Sequence, residues 1–282
     1  QAPFAQTIRA TDVDHDGDLD LLTESGLFTA NGDGSWRRQT EGLEALSSDA
    51  ASVLPMDLDQ DRDRDLVVVG QQGLWVIRND RIWQWESIQI DDEPAQAVVG
   101  GDPNADGVVD LYVLRSETLD HFEVLRDLSL VRKHRTELEG MHSMMLADFS
   151  GDGRLELFCS GESSAFVFSI DEAAGVDAPL EEFGFDAVTV RPVTLDPEAG
   201  PGLLMVKSNG PYFWGPGEGR FSFASVELTG EIDAGDSMRS NGEGLGTRLR
   251  VRQQGRWSVL EYPPASSFPG AGLEPLSIGL AG

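Results

Sequence analysis

Cysteine, positive charge and long apolar runs are all scarce in this 282-residue sequence, and each scarcity removes a class of protein. One cysteine, Cys159, allows no internal disulfide and leaves the redox compartment open. It sits in an apolar run with no basic flank to lower its pKa, so it reads as a buried structural residue ahead of a reactive thiol. No stretch of about 18 apolar residues occurs, so no helical membrane span is expected. Basic residues number 21 against 49 acidic ones, for a net charge of −28, which argues against nucleic acid or anionic membrane as a partner. Only Lys133 and Lys207 are lysines, a genomic bias without mechanistic content.

Catalytic signatures are missing as well. His15, His121, His134 and His142 share no ligand spacing with one another or with Cys159. The serine pairs 47–48, 163–164 and 266–267 lack the Gly-x-Ser-x-Gly elbow. Gly242-x-Gly244-x-Gly246 has no preceding apolar strand, following helix or P-loop lysine, so it is no phosphate loop. The chain opens at Gln1 and not at methionine, from which removal of an N-terminal signal is expected.

What the sequence does have is four acidic loops starting at Asp12, Asp57, Asp102 and Asp148, spaced 45, 45 and 46 residues apart. Each puts oxygen side chains at positions 1, 3, 5 and 9 of nine, with the carbonyl of position 7 as a further donor. This suits Ca2+, a hard cation that takes six to eight oxygens. Glycine at position 6, as Gly17, Gly107 and Gly153, fits a sharp turn with positive φ. The loops hold sixteen acids, so four calcium ions would bring the net charge to about −20. They are not EF-hands. Position 12 is Thr23, Val68, Val113 and Cys159 instead of glutamate, and each loop runs into a short apolar, β-rich stretch instead of a helix.

After each loop the same elements return: a buried strand, a tight turn, an aromatic-rich strand, a second turn and a polar edge strand. A fifth unit keeps the strands, with Leu203 to Val206 and Tyr212-Phe213-Trp214, but Pro197, Ala199 and Pro201 replace the ligands after Asp196, so no ion is assigned there. A period of about 45 residues with four strands per unit predicts an all-β fold, a β-propeller of four-stranded blades. Five repeats are recognisable. Strands expected at 249–252, 257–261 and 276–280 form a sixth blade or a closing β segment docked outside a five-bladed ring, with six the favoured count. The aromatic residues Trp75, Trp83, Trp85, Tyr212, Phe213 and Trp214 suit either carbohydrate stacking or inter-blade packing, and their strand positions favour packing.

At these loops the chain resembles the FG-GAP/VCBS repeat family over residues 4–228, and that resemblance implies calcium between the first two strands of a blade. Carried over, the side-chain donors are Asp12, Asp14, Asp16 and Asp20; Asp57, Asp59, Asp61 and Asp65; Asp102, Asn104, Asp106 and Asp110; and Asp148, Ser150, Asp152 and Glu156. Backbone donors are Asp18, Asp63, Val108 and Arg154. The second loop departs from the pattern, because Arg62 replaces the glycine at a left-handed position. That costs about 1 kcal/mol and makes this the loop expected to be most distorted. Residues 229–282 are similar to part of an ASPIC/UnbV domain, through Asn241-x-x-Gly244-x-Gly246 and the closing Leu276-Ser277-Ile278-Gly279-Leu280. Such domains follow VCBS propellers in secreted and envelope proteins.

The resulting expectation is a propeller binding up to four Ca2+ ions and serving as a protein- or glycan-interaction module. It is secreted, periplasmic or at the cell surface, is part of a larger chain, and has no enzymatic activity. The competing expectation is a polysaccharide-active enzyme or its accessory domain, which a channel-facing cluster of carboxylates, arginines and aromatics would favour.

Overall fold

The structure is a computed structural model. It describes residues 8–280 apart from 24–25, 47–48, 81–83, 185–188, 208, 231–243, 254 and 268–274, so Trp83 and the start of the ASPIC/UnbV-like motif lie outside the described residues. Every described element is a strand, and none is a helix.

Strands β1 (Ile8–Thr11), β2 (Asp20–Thr23), β3 (Gly26–Ala30) and β4 (Trp36–Gln39) form the first antiparallel meander. Strands β5 (Ala50–Met56), β6 (Asp65–Gly70), β7 (Gly73–Asn79) and β8 (Trp85–Asp91) form the second. The third is β9 (Ala97–Gly101), β10 (Asp110–Leu114), β11 (Thr118–Val124) and β12 (Leu130–Glu137). The fourth is β13 (Met141–Ala147), β14 (Glu156–Gly161), β15 (Ser164–Ile170) and β16 (Val176–Gly184). The fifth has three described strands, β17 (Thr189–Val193), β18 (Gly202–Lys207) and β19 (Gly210–Trp214).

The blades stack because their second strands are apolar on both sides. Side chains alternate across a strand, so β6 sends Leu66 and Val68 towards Leu22 and Leu27 of the first blade. Its Val67 and Val69 turn the other way, towards Leu111 and Val113 of the third. The pattern repeats further on: Tyr112 and Leu114 of β10 meet Leu157 and Cys159 of β14, while Phe158 meets Val190 and Leu203 of the fifth blade. Each fully buried Leu or Val contributes about 1.5–3 kcal/mol, so these seams carry much of the stability. Cys159 is fully buried and burial pushes its thiol pKa up, in keeping with a structural residue. The outer strands are polar, with β12 and β16 largely exposed. Buried Arg115 ties the third blade to the second, donating at 2.7 Å to Asp120 of its own blade and at 2.7 Å to the part-buried Asp91 of β8.

The blade count is five, and the favoured sixth blade is corrected by the pairing of the last strands. β20 (Phe223–Val226) pairs with β23 (Leu276–Gly279), and β21 (Arg248–Gln253) pairs with β22 (Arg256–Glu261), giving two separate two-stranded sheets. The expected strands exist, but among the described residues no ladder joins them into one four-stranded blade. Leu245, Tyr262 and Leu276 of this closing region pack with Ala10 and Leu19 of the first blade and with Val226 and Leu228. Arg9 of β1 donates to the Ser266 carbonyl, Met145 of β13 bridges to Ser266, and the Ser267 N–H donates to the Met144 carbonyl at 3.0 Å. Residues 262–267 thereby plug the space between the first strands of the ring.

Candidate metal centre

All four acidic loops join the first strand of a blade to the second, so they emerge at one end of the ring. Their backbones are near copies. Position 6 is left-handed in each, with φ of 91° at Gly17, 81° at Arg62, 87° at Gly107 and 84° at Gly153. Position 4 is left-handed too, at His15, Gln60, Ala105 and Gly151. Of these four residues only Gly151 carries a sequence signal for a second left-handed position.

Turn hydrogen bonds within each loop hold this shape. The position 5 carboxylate accepts from the position 7 N–H at 2.8 Å in all four loops: Asp16 from Asp18, Asp61 from Asp63, Asp106 from Val108, and Asp152 from Arg154. The oxygen at position 3, on Asp14, Asp59, Asn104 or Ser150, accepts from the position 5 N–H. The position 1 carboxylates of Asp57, Asp102 and Asp148 accept from the position 6 N–H, which in the second loop is that of Arg62. This explains why the second loop keeps the common backbone in place of the distortion expected of it.

Position 9 closes each loop from beneath. Asp20 and Asp65 each accept one bond from the position 2 N–H, on Val13 or Leu58, and one from the end of the third strand, on Ala30 or Asn79. Glu156 accepts from Phe149 and Ser150. Asp110 differs, because its carboxylate meets His121 Nε2 at 2.9 Å.

Carboxylate oxygens converge within 4.8 Å of one another in three groups: Asp12, Asp14 and Asp20; Asp57, Asp59 and Asp61; and Asp148, Asp152 and Glu156. No such trio forms in the third loop among the described residues, where Asn104 stands in place of a carboxylate and Asp110 Oδ1 faces His121. Asp16 and Asp65 lie outside the trios of their own loops. The converging acids are electrostatically uncomfortable. Burial, added to by neighbouring carboxylates, raises Asp14 to about 6, Asp20 to about 7 and Glu156 to about 7. The same causes raise Asp65 to about 8 and Asp102 and Asp148 to about 6. A hard cation among these oxygens would relieve both the burial of charge and the repulsion, so the residues fit Ca2+.

Neighbouring loops touch. His15 Nε2 lies 3.5 Å from Asp63, joining the first loop to the second, and Gln60 Nε2 donates to the Gly107 carbonyl at 3.4 Å, joining the second to the third. The closing region also fastens onto the loops. Arg248 Nη1 donates to Asp57 at 3.2 Å, the Val259 N–H to Asp102 at 2.9 Å and the Gly279 N–H to Asp148 at 3.1 Å. Ser277 Oγ donates to the Pro197 carbonyl in the ligand-free fifth loop at 3.1 Å. Three successive position 1 aspartates are thus bound by the same C-terminal region. The sequence gives little warning, because two of those contacts use backbone N–H groups.

Between the plug, the first strands and these loops lies a cavity of about 120 Å3, lined by Met56, Met145, Arg191, Val259 and Ile278 among others. It is mostly apolar. The aromatic set divides. Trp75 and Trp85 pack at the seam of the first two blades, as the packing reading expects, whereas Tyr212, Phe213 and Trp214 on β19 are exposed.

Comparison with family models and with curated proteins returns no match. Among solved structures, an Agrocybe aegerita lectin described for specific recognition of non-reducing terminal N-acetylglucosamine is similar at 12% identity and a TM-score of 0.53, over 92% of this chain and 75% of that one. The Dos1 propeller is similar at 11% identity and 0.45, over 95% and 70%. BBS1N in complex with ARL6DN is similar at 10% identity and 0.47, over 95% and 85%. At such identities the likeness to the lectin is one of fold alone, and the β-propeller class rests on the five successive antiparallel blades described above.

Proposed function

We propose that this chain is a calcium-binding β-propeller of the FG-GAP/VCBS kind, working as a protein- or glycan-interaction module of a secreted or cell-envelope protein. The observation that carries this reading is the recurrence of one loop backbone and one oxygen-donor pattern at the same junction of four consecutive blades. Chance acidity on a surface would not repeat two left-handed residues and the same turn bonds four times. The side-chain oxygens at positions 1, 3, 5 and 9 hold the ion, and the position 7 carbonyls of Asp18, Asp63, Val108 and Arg154 complete the set. When bound, Ca2+ neutralises the clustered carboxylates and cross-links the start of each loop to its end.

A scaffold role suits the arrangement better than chemistry. A catalytic ion needs an open position beside a substrate cleft, whereas each loop supplies about five protein oxygens of the six to eight that calcium takes. The plug at residues 262–267 occupies the centre where a channel-facing active site would need access, which supports a binder over a polysaccharide-active enzyme. The ASPIC/UnbV-like region then acts as an internal strut across the loop end. The lectin of similar fold binds a sugar, and that lends support to the glycan arm of the reading.

The test is melting of metal-free protein. An ion binding only the folded state at a hundred times its dissociation constant adds about 2.7 kcal/mol per site. Chelation lowers the Tm, and calcium restores it while magnesium, with its stricter octahedral demand, does not. A melting curve indifferent to chelator and calcium refutes the proposal.

A further inference from the structure

A cavity of about 440 Å3 opens between the fourth and fifth blades, away from the central plug and within the roughly 300–1,000 Å3 of small-ligand sites. Its walls combine an aromatic platform with polar groups. Trp214 is 51% exposed, and its indole meets Phe183 edge-on, with centroids 5.2 Å apart and planes at 80°. That contact fixes the ring while leaving half of its surface free. Leu180 and Phe221, also exposed, extend the apolar rim. Exposed apolar groups gathered at one concavity mark binding sites more often than chance surface.

The polar side comes from Glu181, from Arg220 and from the glycine-rich stretch 215–219, whose backbone is open to approach. Arg220 is steadied by donating Nη1 to the Pro201 carbonyl at 2.6 Å, and a guanidinium carries further N–H donors beyond that one. The Phe221 N–H donates to the Ser150 carbonyl at 2.9 Å, so this wall stands on the fourth acidic loop.

An aromatic face beside hydrogen-bonding carboxylate, guanidinium and backbone groups matches one ligand chemistry closely. A sugar ring has an apolar C–H face that stacks on the electron-rich indole face, and hydroxyls around its edge that need donors and acceptors. The sign of the charge narrows the class. Glu181 and Glu218 line the cavity against Arg220 alone, on a chain of net charge −28, so uronic, sulfated or phosphorylated sugars are repelled. We propose that this cavity binds a neutral saccharide, with Trp214 as the stacking platform and Glu181 and Arg220 as the groups that read its hydroxyls. The inference rests on the glycan arm of the reading above and assigns it a place.

The experiment is saturation-transfer NMR on the calcium-loaded chain with methyl glycosides of glucose, galactose, mannose and N-acetylglucosamine and their disaccharides, with glucuronic acid as the anionic counterpart. At least one neutral sugar receives saturation, and glucuronic acid does not. Trp214→Ala weakens that binding roughly tenfold or more, and Glu181→Gln weakens it as well. Trp36→Ala, at an equally exposed tryptophan on β4, leaves it unchanged. Melting curves of each variant separate loss of a site from loss of fold, with Glu181→Gln deciding if Trp214→Ala unfolds. Neutral-sugar binding indifferent to both cavity variants overturns this site and leaves the glycan reading standing. No neutral-sugar binding at millimolar concentration, or a preference for glucuronic acid, overturns the inference. Calcium-restored melting in that case still upholds the calcium-dependent module with a protein ligand.

Discussion

Gly279→Ala isolates the grip of the closing region on the acidic loops without altering a single candidate ligand. Gly279 lies so close to the fourth loop that an added Cβ would run into Asp148 Oδ2 and the backbone of Gly151. Both neighbours are held, because Asp148 also accepts from the N–H groups of Gly151 at 2.6 Å and Gly153 at 2.9 Å. Neither has room to yield. Overpacking of this kind costs about 1–3 kcal/mol, and losing the Gly279 N–H bond to a buried carboxylate costs about 1.5–3 kcal/mol more. The last strand then loses its register against β20, and Leu276 loses its buried place. The combined loss, about 2.5–6 kcal/mol, is read as a lower urea midpoint and as early tryptic cleavage among Arg248, Arg250, Arg252 and Arg256. Calcium stoichiometry stays at the wild-type value because the oxygen donors are intact. An unchanged midpoint together with an uncut closing region would refute the claim that the docking of β23 on Asp148 stabilises the ring.

The remaining expectations concern charge and backbone. In metal-free protein, Asp20, Asp65 and Glu156 hold protons up to about pH 7–8 when folded and release them near 4 when unfolded. Their contribution is therefore present in acid and lost as pH rises through the folded values. The metal-free Tm falls between pH 5 and pH 8 by this reasoning, whereas in excess calcium it does not; a metal-free Tm that climbs over that range contradicts the reading. Arg62→Gly relieves a left-handed non-glycine residue at φ 81° and raises stability by about 1 kcal/mol, measured by urea unfolding in calcium. Asp120→Ala leaves the buried Arg115 guanidinium with Asp91 as its remaining close carboxylate and costs about 1.5–3 kcal/mol by the same assay, with calcium uptake unaffected.

The ring and its loops are legible in the sequence because both repeat. A period of about 45 residues marks the blades, and runs such as Leu66 to Val69 announce strands buried on two faces. Glycine at position 6 of three loops reveals the left-handed turn, and the aspartates beneath do the rest. Position 4 is not legible, since His15, Gln60 and Ala105 carry no preference strong enough to betray a positive φ. The blade count fails for a different reason. Strand propensity places β21, β22 and β23 correctly, but β23 pairs with β20 across some fifty residues, and no local pattern encodes so distant a partner. Val259 and Gly279 grip the loops through their backbones and so escape a reading based on side-chain chemistry. Tyr212 to Trp214 mislead in the opposite sense. The same aromatic pattern that buries Trp75 at a seam leaves Trp214 open, because β19 is the last described strand of its blade, with the inter-blade cavity beside it.

Calcium counting by native mass spectrometry tests the central claim most directly. Metal-free chain titrated with Ca2+ in ammonium acetate is expected to take up at least three ions, one for each converging carboxylate group, with a fourth entering the third loop at higher concentration. Asp14→Ala removes one of them. A chain that keeps its metal-free mass in millimolar calcium, or that takes up ions in numbers untouched by Asp14→Ala, contradicts the account.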